Sequence, residues 1–401
     1  MKMKNLLVIT IFKNVLKNEI IKLFTDFLAC LQEGTNSEKT LKLYSDFIEK
    51  LYESEFNQNL YLLLKHLIYT DENIISKGCA DCIQKDKEIL ETAKYELSIF
   101  DELLNYDYKK ITEFLNKNFA DDKDIIAHLP AYKTSGKIDF DIYDIINSYN
   151  SSGYGIFACY SAFKFNVNKE IIPVRQYNAM TFDELKNYEY QQDAIKKNTL
   201  AFLEGKPSNN ILLYGDRGCG KSSTVKALIN EFGNYNLKII QITKESFIFL
   251  SDLYEKIRNL PSKFIIFADD ISFDEDDKNF SSIKAVLEGS LSDRPQNAVI
   301  YATTNRMHLV KESFSSREGS ELHLNDTIDE LVSLSDRFGI MLTFSSLTKT
   351  EYLDIVKQIA QDCCINVDEK LFREAEMFAA LKTIRTPRTA RQFITDYLAN
   401  L

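Results

Sequence analysis

The sequence predicts an α/β fold: a five-stranded parallel sheet between layers of helices, preceded by a helical N-terminal region and followed by a small helical lid. Three patterns carry this. From residue 5 to about 119, apolar side chains recur at spacings of three and four, the helical period. After about residue 180, short apolar runs alternate with helical stretches, as in a parallel sheet covered on both faces. From Thr348 onward the helical spacing returns. The chain therefore divides into a helical region (1–120), a connector or mixed segment (121–180), an α/β core (181–345) and a lid (346–401).

The bulk properties fit that division. A chain of 401 residues exceeds the size at which one hydrophobic core stops growing. Its 45% hydrophobic and 27% charged residues are those of a folded soluble protein, and no run approaches the roughly 18 apolar residues of a membrane helix. Seven cysteines, an odd number scattered along the chain, point to a reducing compartment. The net charge of -10 gives no basic footprint for nonspecific duplex binding, so a protein partner is favoured over nucleic acid.

In the N-terminal region, the apolar run Leu6 to Phe12 follows two lysines in the manner of a signal peptide. Lys13 ends it early, no small-residue cleavage site follows, and amphipathic spacing continues through Val15, Ile20, Ile21 and Phe24. It reads as a helix of a cytoplasmic protein. Further helices pass through Leu43, Tyr44, Phe47, Ile48, Leu51 and Tyr52, and through Leu90, Ala93, Leu97, Phe100 and Leu104. Asn36-Ser37-Glu38 and Thr70-Asp71-Glu72 offer helix starts, and Gly78 a stop. Cys79-x-x-Cys82 has metal spacing but no second pair, so it reads as two thiols on a helix turn, with a zinc site shared between subunits as the alternative. Gly153-x-Gly155-x-x-Ala158 follows a polar, turn-like stretch rather than a strand, which makes it a loop and not a dinucleotide fingerprint.

Strands are expected at 211–214, 238–242, 264–268, 298–303 and 340–344, and lid helices near 350–361, 368–381 and 387–399. Between the first strand and the next helix runs Gly215-Asp216-Arg217-Gly218-Cys219-Gly220-Lys221-Ser222, a complete GxxxxGK[ST]. Its glycines let backbone N–H groups through Ser223 turn toward phosphate oxygens, Lys221 neutralises phosphate charge, and Ser222 offers a ligand to Mg²⁺. This makes the core that of a P-loop NTPase. The strand at 264–268 ends in Asp269-Asp270, forty-eight residues beyond Lys221; Asp269 would hold Mg²⁺ and Asp270 would orient or deprotonate water. The strand at 298–303 runs into Asn305, which reaches a terminal phosphate if that strand lies between the other two. The Asp274-Glu275-Asp276-Asp277 run reads as a solvated loop.

These motifs, in this order, resemble the AAA+ ATPases, whose sensor 1 is an Asn placed as Asn305 is. No Asn-Lys-x-Asp guanine motif is present. The resemblance implies two arginines: Arg337, in Leu334-Ser335-Asp336-Arg337-Phe338-Gly339 just before the last strand, as the finger given to a neighbouring subunit; and Arg388, in Thr386-Pro387-Arg388-Thr389-Ala390-Arg391, as the lid's sensor 2, with Arg391 as runner-up. Thr386 and Pro387 are a helix cap and first turn. More finely, residues from Tyr188 onward look like an uncharacterised bacterial family of AAA+-like ATP-binding proteins. The match rests on residues 202–210, 267–273 and 301–306, Leu287-Glu288-Gly289 and Ser335-Asp336-Arg337-Phe338-Gly339. Asp270 stands where a Glu is usual, which implies slow hydrolysis.

The expected function is therefore an ATP-dependent switch or motor with Mg-ATP between core and lid, Tyr188 bordering adenine, and a homo-oligomer completed by Arg337. The alternative is a regulatory binding module that holds ATP and hydrolyses little.

Overall fold

The computed structural model describes residues 3–34, 36–78, 86–134, 140–177, 180–271, 273–274, 294–305, 310–311 and 338–400. Cys79 and Cys82, the end of the acidic run from Glu275 to Asp277, and Arg337 lie outside the described residues. The chain divides into two compact units at Cys159/Tyr160. The stretch read as a connector is thus shared between them: 121–159 goes with the helices and 160–180 with the sheet.

The first unit is helical, with α1 (Glu19–Glu33), α2 (Ser37–Glu53), α3 (Leu60–Tyr69), α4 (Lys87–Leu104), α5 (Tyr108–Asn118) and α6 (Ile142–Ser152). The apolar stripes predicted from the spacing turn inward, except at Tyr52, which is exposed. Phe24, Phe27, Tyr44, Phe47 and Phe100 are wholly buried, and the Phe24 and Phe47 rings lie 4.8 Å apart. Asn36 caps α2 through the Lys39 N–H, as expected. Thr70, by contrast, ends α3 rather than starting a helix; the following one-turn helix (Ile74–Lys77) begins at Asn73, whose side chain forms a capping box with Ser76, and stops at Gly78. The stretch before Gly153, read as turn-like, is the end of α6; Gly153 (φ 84°) closes that helix, Gly155 lies in the turn after it, and Ala158 falls in a one-turn helix (Ile156–Cys159), so the motif follows a helix and not a strand.

The run from Leu6 to Phe12 is not an α-helix. A 3-10 turn covers Met3–Val8, and the chain then opens out so that three successive N–H groups, of Thr10, Ile11 and Phe12, converge on the Glu96 carboxylate at 2.7, 3.0 and 3.0 Å. Glu96 is fully buried on α4 and also accepts the Thr10 hydroxyl at 2.8 Å. A buried carboxylate needs donors, and consecutive backbone N–H groups supply them at the expense of helix.

The second unit is built on a seven-stranded sheet in the order β2-β1-β4-β5-β7-β3-β9. Its strands are β1 (Ala162–Phe165), β2 (Ile171–Pro173), β3 (Ile211–Gly215), β4 (Leu237–Ile242), β5 (Lys263–Ala268), β7 (Ala298–Thr304) and β9 (Ile340–Phe344); two-residue strands β6 (Phe273–Asp274) and β8 (Val310–Lys311) pair separately. The five expected strands are β3, β4, β5, β7 and β9, mutually parallel. β1 extends them in parallel beside β4, and β2 closes that edge antiparallel. The sequence reading missed these two because each is short and at the margin of the sheet: β1 alternates, with Lys164 exposed between buried Phe163 and Phe165. The central strands carry unbroken apolar runs, Phe264 to Ala268 in β5 and Ala298 to Ala302 in β7, as expected of parallel strands covered on both faces.

Helices α7 (Glu189–Leu203), α8 (Lys221–Phe232) and α9 (Leu250–Ile257) belong to this unit, and the lid is α10 (Lys349–Asp362), α11 (Glu369–Lys382) and α12 (Pro387–Ala399). Thr348 starts α10 with a capping box to Glu351, Asp368 caps α11, and Thr386 caps α12 with Pro387 in its first turn. Tyr352, Val356, Leu371, Ala375 and Ala390 bury the lid's own core. Among the described residues no helix is long and apolar enough to cross a membrane.

Replacing Glu96 with Ala strands three N–H groups, two of them buried, and should cost the first unit about 3 kcal/mol or more. Urea unfolding of the full chain checks this; a loss under about 1 kcal/mol would mean that the carboxylate does not hold the segment.

Candidate functional site

The loop from Gly215 to Lys221 turns the chain from β3 into α8. Gly215 has φ 133°, and a Cβ there would lie 2.1 Å from the Phe344 carbonyl oxygen on β9, so only glycine lets the loop leave the sheet this close to its neighbour. At Gly218 (φ 85°) a Cβ would meet Thr386 Oγ1 at 3.0 Å, and its carbonyl accepts the Arg388 N–H, joining loop and lid.

Lys221 is buried at the first turn of α8. Its ammonium donates to the carbonyls of Gly215 and Asp216, both at 2.8 Å, and to Asn305 Oδ1 at 2.9 Å. Burial pushes this lysine below its ordinary pKa, while Asp270 and Asp216 act in the opposite sense. Asn305 reaches it because β7 lies between β3 and β5. The Asn305 amide nitrogen donates in turn to Asp270 Oδ1 at 2.5 Å. Asp270 itself adopts a left-handed backbone (φ 52°).

Asp269, at the end of β5, accepts the Ser222 hydroxyl at 2.5 Å and the Thr303 hydroxyl at 2.9 Å on Oδ1, with Lys226 Nζ 3.5 Å from Oδ2. Two hard oxygen donors side by side are what Mg²⁺ takes from a protein when phosphate and water supply the remainder. Among the described residues, no group of three or more His, Cys, Asp or Glu is placed to hold a metal alone.

Arg217, Lys221, Ser222, Asp269, Asp270, Asn305 and Arg388 line a cavity of about 430 Å³. Gly218, Gly220, Ser223 and Arg388 also border a second cavity of about 670 Å³, whose far walls include Leu185, Tyr188, Ile355, Ile359 and Phe378. Tyr188 precedes α7, packs on Phe344 with ring centroids 4.9 Å apart, and donates its hydroxyl to the Ser345 carbonyl at 2.5 Å. Burial raises the Tyr188 phenol and the Cys219 thiol above their ordinary values. The structure thus gathers residues 217–223, Asp269, Asp270, Asn305, Arg388 and Tyr188 around two adjoining cavities, while Gly215 and Asp216 line neither. Arg391 borders the larger one and donates to the Glu184 carbonyl at 2.5 Å.

Three residues here escaped the sequence reading. Thr303 had a signal, since it shares a strand face with Asn305 two positions on. Lys226 and Ser346 had none: Lys226 is one more lysine on an amphipathic helix, and Ser346 lies in a loop.

Residues 158–401, more than half of the chain, match the family model described as "Protein of unknown function (DUF815)". The chain belongs to the DUF815 family. Sixty-one residues are 44% identical to the Replication factor C large subunit of Staphylothermus marinus, 14% of this chain and 14% of that protein. A RuvB point mutant from Thermotoga maritima shares 18% identity over 52% of this chain and 62% of its own, with a TM-score of 0.35. Aeropyrum pernix ORC1, in complex with DNA, shares 16% over 51% and 57%, also at 0.35. The chain spans less than two thirds of each of these proteins. Within this DUF815 chain, β7 lies between the strand that leads into the GxxxxGK[ST] loop and the strand that ends in the two carboxylates, the order on which the reading of Asn305 depends.

Asp216 links this site to the loop after β9, accepting the Ser346 N–H at 2.8 Å and its hydroxyl at 2.5 Å; these bonds hold the carboxyl below its ordinary pKa. With the folded value below an unfolded value of about 3.9, its contribution to stability is present above that pH and fades as pH falls through the folded pKa. Asp216→Asn should therefore melt earlier than the wild type at pH 7, with the gap closing as pH falls below about 4. Melting curves at successive pH values check this, and a gap unchanged down to pH 3 would contradict it.

Proposed function

We propose that this DUF815 protein binds Mg-ATP in the two cavities and uses binding and slow hydrolysis to switch the relation of its α/β core to its lid. One observation carries the reading: the buried ammonium of Lys221 is satisfied by two loop carbonyls and Asn305, at the wall of a cavity of about 430 Å³ that also presents Ser222, Asp269 and Asp270. A cation held in a cleft by neutral oxygens alone, two from its own loop and one from Asn305, is poised to exchange them for anionic ones.

The N–H groups of residues 215–223 and Lys221 would hold the phosphates, and the cavity beside Tyr188 would take adenine. Ser222 and Asp269 would hold Mg²⁺, which when bound neutralises phosphate charge. Asp270 would orient or deprotonate the attacking water once Asn305 turns from it to the terminal phosphate. Arg388 would reach the phosphates from the lid, so that core and lid close on the nucleotide together. Arg337 would act on the site of the next subunit in a homo-oligomer. A reduced, cytoplasmic setting fits the cysteine count, and the net charge of -10 favours a protein client over duplex DNA.

The second reading, a regulatory module that holds ATP and turns it over little, is favoured by Asp270: its short carboxylate sits on a left-handed backbone and is already engaged by Asn305.

Lys221→Ala should weaken ATP binding by about 100-fold or more in a fluorescence titration of the full chain, since it removes the charge-assisted contacts to the β and γ phosphates. Undiminished binding would refute the site. Turnover measured against protein concentration, with mass followed by light scattering, separates the readings. A rate that climbs with assembly and is lost in Arg337→Ala indicates the switch or motor; tight binding by a monomer with negligible turnover indicates the regulatory module.

A further inference from the structure

We infer that Thr303 is the positioning residue that couples the two carboxylates of the site, a role that rests on the nucleotide reading above. Thr303 lies on β7, between the P-loop strand and the carboxylate strand, and is 1% exposed at the wall of the cavity of about 430 Å³. Its hydroxyl has one proton to give. That proton goes to Asp269 Oδ1 at 2.9 Å, while the oxygen accepts the Asp270 N–H at 2.8 Å. One small group thereby grips the side chain of the first acidic residue and the backbone of the second.

Each grip has a distinct consequence. At Asp269, the Thr303 and Ser222 hydroxyls converge on the same carboxylate oxygen, which fixes where that carboxylate points. At Asp270, the N–H bond acts together with the Thr303 carbonyl, which accepts the Ile271 N–H at 2.8 Å. Two successive N–H groups are thus fastened to one residue, and the chain between them takes the left-handed turn at φ 52° that a residue with a Cβ rarely adopts. That turn aims the Asp270 carboxylate at Asn305. Thr303 need not contact nucleotide; it sets the direction of both groups that do the work.

The prediction is specific to the hydroxyl. Thr303→Val keeps shape and deletes the donor and acceptor; Thr303→Ser keeps both. In the full chain, a fluorescent ATP analogue should bind Thr303→Val without Mg²⁺ about as tightly as it binds the wild type, because Lys221 and the loop N–H groups are untouched. The Mg²⁺ concentration that half-maximally tightens binding should rise about 10-fold or more, and kcat should fall about 10- to 100-fold with KM little changed, the range for losing a partner that orients a ligand or catalytic group. Thr303→Ser should stay within about threefold of the wild type in both readouts. Thr303→Ala repeats the deletion should Val not fold, and the Mg²⁺ readout decides even where turnover is too slow to follow. A hydroxyl-free variant with wild-type Mg²⁺ dependence would overturn the role, as would one whose Mg²⁺-free affinity falls equally, since that is general damage to the loop. A wild-type chain that binds no nucleotide overturns the underlying reading, and that failure is visible before any Thr303 variant is made.

Discussion

Placing a lysine ammonium out of water costs several kcal/mol unless oxygens replace the water, and Lys221 meets that demand with two carbonyls of its own loop and one side-chain oxygen from another strand. Everything else in the site follows from that arrangement. The carbonyls are available because Gly215 lets the loop pass against Phe344, where any side chain would collide. The side-chain oxygen is available because β7 runs between β3 and β5, which carries Asn305 to the lysine and, through its amide nitrogen, on to Asp270. The cation and the second carboxylate, Asp270, are therefore joined by one amide.

The same loop is tied to the lid by bonds that do not involve Lys221. Asp216 accepts the Ser346 N–H and hydroxyl, and the Gly218 carbonyl takes the Arg388 N–H; from outside the loop, Tyr188 donates to the Ser345 carbonyl. Ser345 and Ser346 are the residues by which the chain leaves β9 for the lid. A displacement of the loop is felt on both sides of that junction, which gives the proposed switch a physical path. It needs no long-range mechanism, because the cavities are built from core and lid residues together.

Much of this was legible in the sequence, and the reasons are particular. The five expected strands were readable as short, largely apolar runs, clearest in β5 from Phe264 to Ala268, although β4 carries Lys238 and Gln241 and β9, at the edge of the described sheet, exposes Met341 and Thr343. The lid helices were readable because Thr386-Pro387 is a cap with a preset first turn. The loop motif was readable because its chemistry needs those residue types consecutively. What escaped reading depends on partners remote in sequence. Glu96 rewrites the conformation of residues 10–12 from more than eighty positions away, so local periodicity misjudged that stretch as helix. β1 and β2 are too short to show a period, and Ser346 is an unmarked loop serine that acquires a role only beside Asp216. Thr303 lay within the strand that was read correctly, but its hydroxyl matters only because β5 ends beside it.

The most direct test of the account is hydrogen–deuterium exchange of the full chain with and without saturating Mg-ATP. The account predicts slowed exchange at the N–H groups of residues 216–223, which would meet phosphates, together with slowed exchange at the start of α12 around Arg388. No change at 216–223 under saturating Mg-ATP would contradict the claim that Lys221 and its loop are a phosphate site.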